Sequence, residues 1–138
     1  MRFTNRALAQ ALLRWTLGLN LIGHGLNRLG HPWQFAEGMA NDFAHTFLPR
    51  VLVLAFGLCI PFFEPCVGVL LVTGFWLRGA LVAGALSIIA LSFGTALIGR
   101  WDVLTQQVVY AVVYFLLLSG LEHDTLRPSS TVVPPPRA

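Results

Sequence analysis

Lysine is missing from this sequence of 138 residues: all nine basic residues are arginine, and with six acidic residues they bring the charged fraction to only 11%. So little charge cannot coat the surface of a water-soluble fold of this length. The arginines do not gather either. They stand singly at the ends of apolar runs, without the basic cluster and interleaved aromatics of a nucleic-acid groove, so no nucleic-acid partner is expected. Cysteine occurs twice, as Cys59 and Cys66. On one helix their spacing separates them by about 10 Å of rise, too far for a disulfide, and they do not form a Cys-X-X-Cys motif. Buried free thiols are the expectation. A glycine-rich phosphate loop and a nucleophile elbow are both absent.

What the chain has instead is apolar material: 56% of its residues are hydrophobic and its mean hydropathy is +0.71. Arg2 and Arg6 ahead of an apolar stretch imitate a signal peptide, but Arg14, Asn20 and His24 interrupt the stretch and no small-residue cleavage site closes it. A retained first span is expected. About 20 apolar residues are needed to cross a bilayer, and four runs come near or exceed that length: 8–29, 48–76, 79–98 and 104–121. The fold class expected is therefore all-α, a four-helix transmembrane bundle over residues 1–126, with a disordered proline-rich tail at 127–138. Pro61 and Pro65 should kink the second span, depriving the carbonyls of Gly57 and Pro61 of their helical donors.

The arginine bias between short loops places both termini on the inner side of the membrane, and Trp15, Trp33, Trp76 and Trp101 fall close to the expected boundaries. Between the first two spans, Phe35, Met39, Phe43 and Phe47 recur every four residues among Glu37, Asn41, Asp42 and His45. This predicts an outer interfacial amphipathic helix, or alternatively a cap over the bundle mouth.

Polar groups within the runs are costly and each needs a partner. Asn20, His24, Asn27 and Arg28 share one face of the first span. Arg14 and Glu64 reach similar depth on adjacent antiparallel spans and are expected to contact each other. They read either as a structural ion pair or as a catalytic pair in which Glu64 carries protons for a redox reaction. On the fourth span Gln107, Tyr110 and Tyr114 share a face that should meet the His24 stripe. A slot formed by His24, Arg28, Gln107 and Tyr110 could bind the carbonyls of a quinone head group, while packed tyrosines and a satisfied core histidine are the plainer alternative. Haem held axially by His24 lacks an evident second ligand, and the histidine spacings match no metal signature.

Two long stretches carry a family resemblance: R-W-T-L-G-L-N-L-I-G-H-G-L-N-R-L from Arg14 to Leu29 and P-F-F-E-P-C-V-G-V-L-L-V-T-G-F-W-L-R-G-A-L from Pro61 to Leu81. F-G-T-A-L at Phe93 to Leu97 and Q-V-V-Y-A-V-V-Y-F-L-L-L at Gln107 to Leu118 add to it. In combination the chain resembles the DoxX family of small four-helix bacterial membrane proteins, with Arg14, His24, Gly25, Arg28, Glu64, Gly68, Gly74, Arg78, Gln107 and Tyr110 at matching positions. The resemblance implies a bacterial cytoplasmic membrane and a link to quinone chemistry, because the related DoxD and DoxA proteins form a thiosulfate:quinone oxidoreductase. The expected function is thus a membrane subunit of a quinone-linked oxidoreductase, with partner subunits or further copies of itself. The alternative is a non-catalytic accessory subunit of a respiratory or photosynthetic complex. Small-molecule transport is weaker, since no inverted halves are visible.

Overall fold

A computed structural model describes residues 4–126, and all of their regular structure is helical. Five helices follow in order: α1 (Asn5–Leu29), α2 (Pro32–Asp42), α3 (Arg50–Thr73), α4 (Leu77–Leu97) and α5 (Trp101–Ser119), with a 3-10 turn at Leu121–His123. The expected tail at 127–138 lies outside the described residues.

α1 starts where the Thr4 hydroxyl accepts a hydrogen bond from the amide of Ala7, satisfying one of the donors that a helix start leaves free. It runs antiparallel to α3 at close range because glycines face each other. A Cβ on Gly18 would stand 2.8 Å from the carbonyl oxygen of Gly68, and one on Gly68 would stand 2.6 Å from that of Gly18. Further along, Gly25 leaves room for the ring of Pro65. This register puts the end of α1 only level with the middle of α3. The chain then turns at Gly30 and His31 and re-enters a helix with Pro32 at its first position, where the missing N–H costs nothing.

α2 continues along the remaining part of α3. Ala36 and Ala40 are buried, Ala36 abuts Gly57, and the Asn41 side-chain oxygen accepts from Arg50 at 2.8 Å. The spacing of Phe35, Met39 and Phe43 is helical as expected, but the helix packs against α3 and ends at Asp42, leaving Phe47 exposed. α3 itself passes through both Pro61 and Pro65 as one helix. Gly74, at φ 75°, ends it in the left-handed conformation that glycine adopts freely, and its amide bonds the carbonyl of Leu70.

α4 and α5 pair antiparallel, with Gly84 accommodating the Tyr114 ring. The core lies toward the end of the bundle that holds Thr4 and Ser119, where Leu17, Val67, Leu71, Leu77, Leu81 and Leu117 surround Tyr114. Three helices, α3, α4 and α5, are long and apolar enough to cross a membrane. Their outward faces carry large apolar side chains such as Leu86, Ile89, Val109 and Phe115, while Arg14, Glu64 and Gln107 are buried. That inversion of the water-soluble pattern fits a multi-pass protein in lipid. Cys59 and Cys66 are free as expected but exposed on this outer surface rather than buried, because their stretch of α3 faces outward at both positions.

Candidate functional site

The two buried charges expected to meet each other take different partners. Glu64 is bound through both carboxylate oxygens by the Nη1 group of Arg28. Arg14 instead sets its Nε 3.0 Å from Asp124 and donates to the backbone carbonyls of Leu71 at 2.8 Å, Val72 at 3.3 Å and Leu126 at 3.1 Å. The expected Arg14–Glu64 contact is thereby corrected, and the reason is the α1–α3 register. Arg14 falls level with the last turn of α3, whose final carbonyls have no helical donors and carry the negative end of the helix dipole. An arginine there caps the helix, helped by the Trp15 indole, which donates to Val72 at 3.2 Å. Asp124 was not among the candidate residues, since it follows the last apolar run and only the turn at Leu121–His123 folds it back.

A cavity of about 400 Å³ opens at the end of the bundle where α2 stands in for the missing length of α1. Arg28 lines it from α1, Phe35, Met39 and Phe43 from α2, Val53 and Phe56 from α3, Gly94 and Thr95 from α4, and Gln107 from α5. Its walls are mainly apolar, in the volume range of small-molecule sites. The Arg28 guanidinium sits 4.7 Å from the centre of the Phe35 ring, within cation–π range.

The polar group opposite is oriented by a short chain of hydrogen bonds. The Thr95 hydroxyl donates its single hydrogen to the Leu91 carbonyl at 2.7 Å, so toward Gln107 it can only accept. The Gln107 amide nitrogen supplies that donor at 3.0 Å. The amide oxygen is therefore turned away from Thr95, and it is buried with no hydrogen-bond partner. An orphaned acceptor of this kind costs about 1–3 kcal/mol unless a donor reaches it.

Of the four residues expected to form one slot, the structure brings Arg28 and Gln107 to a common cavity and leaves the other two elsewhere. Tyr110 lines a separate groove between α1 and α5 and donates to the side-chain oxygen of Asn20 at 2.9 Å. The expected match of depth between α1 and α5 holds at this bond. His24 is exposed on the outer face of α1. Tyr114, on the same face of α5, is buried in the core. The α2 aromatics and Thr95 were missing from the expected site. The four-residue aromatic spacing of α2 was the available signal for the former, and the threonine of F-G-T-A-L for the latter. Among the described residues no group of three or more His, Cys, Asp or Glu side chains could hold a metal ion.

No protein-family model, curated protein or solved structure matches the chain.

Proposed function

We propose that the chain crosses the bilayer four times, with α1 as the fourth span and both termini cytoplasmic, and that it is the membrane subunit of a quinone-linked oxidoreductase that holds a quinone head group in the α2-capped cavity. One observation carries this reading: a mainly apolar cavity of about 400 Å³ whose walls hold Arg28, the Gln107 side chain with its orphaned amide oxygen, and the charged Arg100 and Asp42. An amphipathic ring with oxygen substituents and an apolar tail suits both features. Arg28 offers donors to one ring oxygen, and the Gln107 amide oxygen, buried in the wall without a donor, would take a hydroxyl once the side chain shifts toward the cavity. The quinone would supply two-electron, two-proton chemistry. Glu64, joined to the cavity through Arg28, is the carboxylate placed to exchange a proton when Arg28 turns toward the head group. Arg14, held at the end of α3, serves packing in this reading. The resemblance to the DoxX family supports the same assignment.

The test is retention. After purification in mild detergent, organic extraction and mass spectrometry should find quinone in proportion to protein. Gly94→Leu should abolish it, because even a Cβ there would come within 2.9 Å of Phe43. His24→Ala should leave it unchanged, since that side chain faces outward. Absence of quinone from the wild-type protein, or equal retention by a folded Gly94→Leu variant, refutes the site and leaves the accessory-subunit reading in its place.

A further inference from the structure

The outward face of α1 has a chemistry that its surroundings do not satisfy. Asn20, Gly23, His24 and Asn27 are all exposed, and their spacing places them on one stripe of the helix. Exposed Leu19 and Leu26 flank it. On a water-soluble protein such a stripe would need no explanation. Here its depth matters. Gly25, between His24 and Asn27, abuts Pro65, which lies about 22 Å along α3 from Arg50 and about 12 Å from Thr73. With α3 spanning a hydrocarbon core of about 30 Å, His24 and Asn27 stand well inside it. Among the described residues neither side chain has a hydrogen-bond partner, and lipid tails can offer none.

We infer that the Asn20–Gly23–His24–Asn27 face of α1 is the contact between two copies of this chain in the membrane. The inference rests on α1 crossing the bilayer and is independent of quinone binding. Depth selects the occupant. Every copy inserts with the same orientation, so a two-fold axis along the membrane normal brings each residue opposite its own counterpart at the same level. Asparagine is both donor and acceptor, as is neutral histidine, and each can therefore pair with itself. The one charge at the edge of the stripe, Arg28, is neutralised by Glu64, so two such faces meet without strong repulsion. A foreign helix would have to present polar groups at the same heights; a second copy does so automatically. Gly23, exposed on this face, carries no side chain to hold a second helix away, and small residues let membrane helices pack closely. The remaining donors of Asn20, whose oxygen already accepts from Tyr110, extend the seam.

The experiment uses the full chain carrying Cys59→Ala and Cys66→Ala, with single cysteines introduced and oxidised in native membranes. Gly23→Cys should give a disulfide-linked homodimer in high yield, whereas Val112→Cys, exposed on α5, should give little. In detergent, Asn27→Leu should weaken the monomer–dimer equilibrium by roughly tenfold without loss of helical signal, the side chain being exposed. The inference is overturned if Gly23→Cys links no more than Val112→Cys, or if it links only to a different protein. A wild-type chain that stays monomeric across the measured concentration range also overturns it. Separately, Asn27→Cys should resist a membrane-impermeant maleimide. Labelling as fast as that of a loop cysteine would show that α1 is in water, removing the premise without touching the cavity.

Discussion

Consider removing the charges of the Arg28–Glu64 pair one at a time and then together. Their side chains are 27% and 9% exposed, and the pair sits beside Pro65 near the middle of α3. Arg28→Leu leaves a carboxylate buried with no cation, for which a cost of about 3–5 kcal/mol is expected. Glu64→Leu is milder, about 2 kcal/mol, because Arg28 is the more exposed partner and keeps the Phe35 ring beneath it. The double variant carries neither charge and should be more stable than Arg28→Leu alone, giving a coupling of about 2–3 kcal/mol. The same cycle on Arg14 and Glu64 should return nearly additive values, within about 0.5 kcal/mol, because Arg14 is level with Leu71, about 10 Å along α3 from Glu64. Reversible unfolding in mixed micelles, followed by circular dichroism, measures the wild type and the five variants that the two cycles require. Strong coupling between Arg14 and Glu64, or additivity between Arg28 and Glu64, would show that the α1–α3 register is wrong.

The remaining predictions concern packing, the amide and topology. Gly25→Ala should destabilise by about 1–3 kcal/mol through a clash with the rigid Pro65 ring, while Gly38→Ala on α2, which meets open space, should be neutral or slightly stabilising in the same unfolding assay. Thr95→Val removes the acceptor for the Gln107 amide nitrogen, and a loss of about 1–3 kcal/mol in thermal or denaturant unfolding is expected. Reporter fusions at the N-terminus and after residue 126 should report the same side, and one inserted at 46–48 the opposite side. Matching signals from the N-terminus and 46–48, with the opposite signal after residue 126, would exclude a crossing by α1.

The helices were legible because apolar runs of sufficient length have few alternatives in lipid: α3, α4 and α5 start and stop within a few residues of the runs that predicted them. Three of the buried polar groups were also legible, since Arg14, Glu64 and Gln107 interrupt apolar sequence, whereas Thr95 and Asp124 did not stand out. Their pairing was not. Matching Arg14 to Glu64 assumed that two adjacent spans begin and end at the same levels. The actual register is fixed by Gly18 against Gly68 and Gly25 against Pro65, contacts whose significance depends on knowing which helices touch.

The displacement of the site follows from that same register. Since α1 ends level with the middle of α3, it cannot supply a wall for the Arg50 end of the bundle, and α2 must occupy the place. α2 presents Ala36 and Ala40 to α3, so its backbone lies close to that helix, while Phe35, Met39 and Phe43 line the cavity, Phe43 abutting Gly94 of α4. A short helix held to one side by alanines does not fill the width that a fourth long helix would, and the unfilled part is the cavity. Arg28 reaches it because it occupies the last turn of α1, at the edge of the gap. His24, one turn earlier and on the outer face, does not. The slot imagined between α1 and α5 exists only as the Asn20–Tyr110 hydrogen bond, which closes that seam. The break at Gly30 and His31 thus determines where the cavity opens and why Arg28, rather than His24, is the α1 residue that lines it.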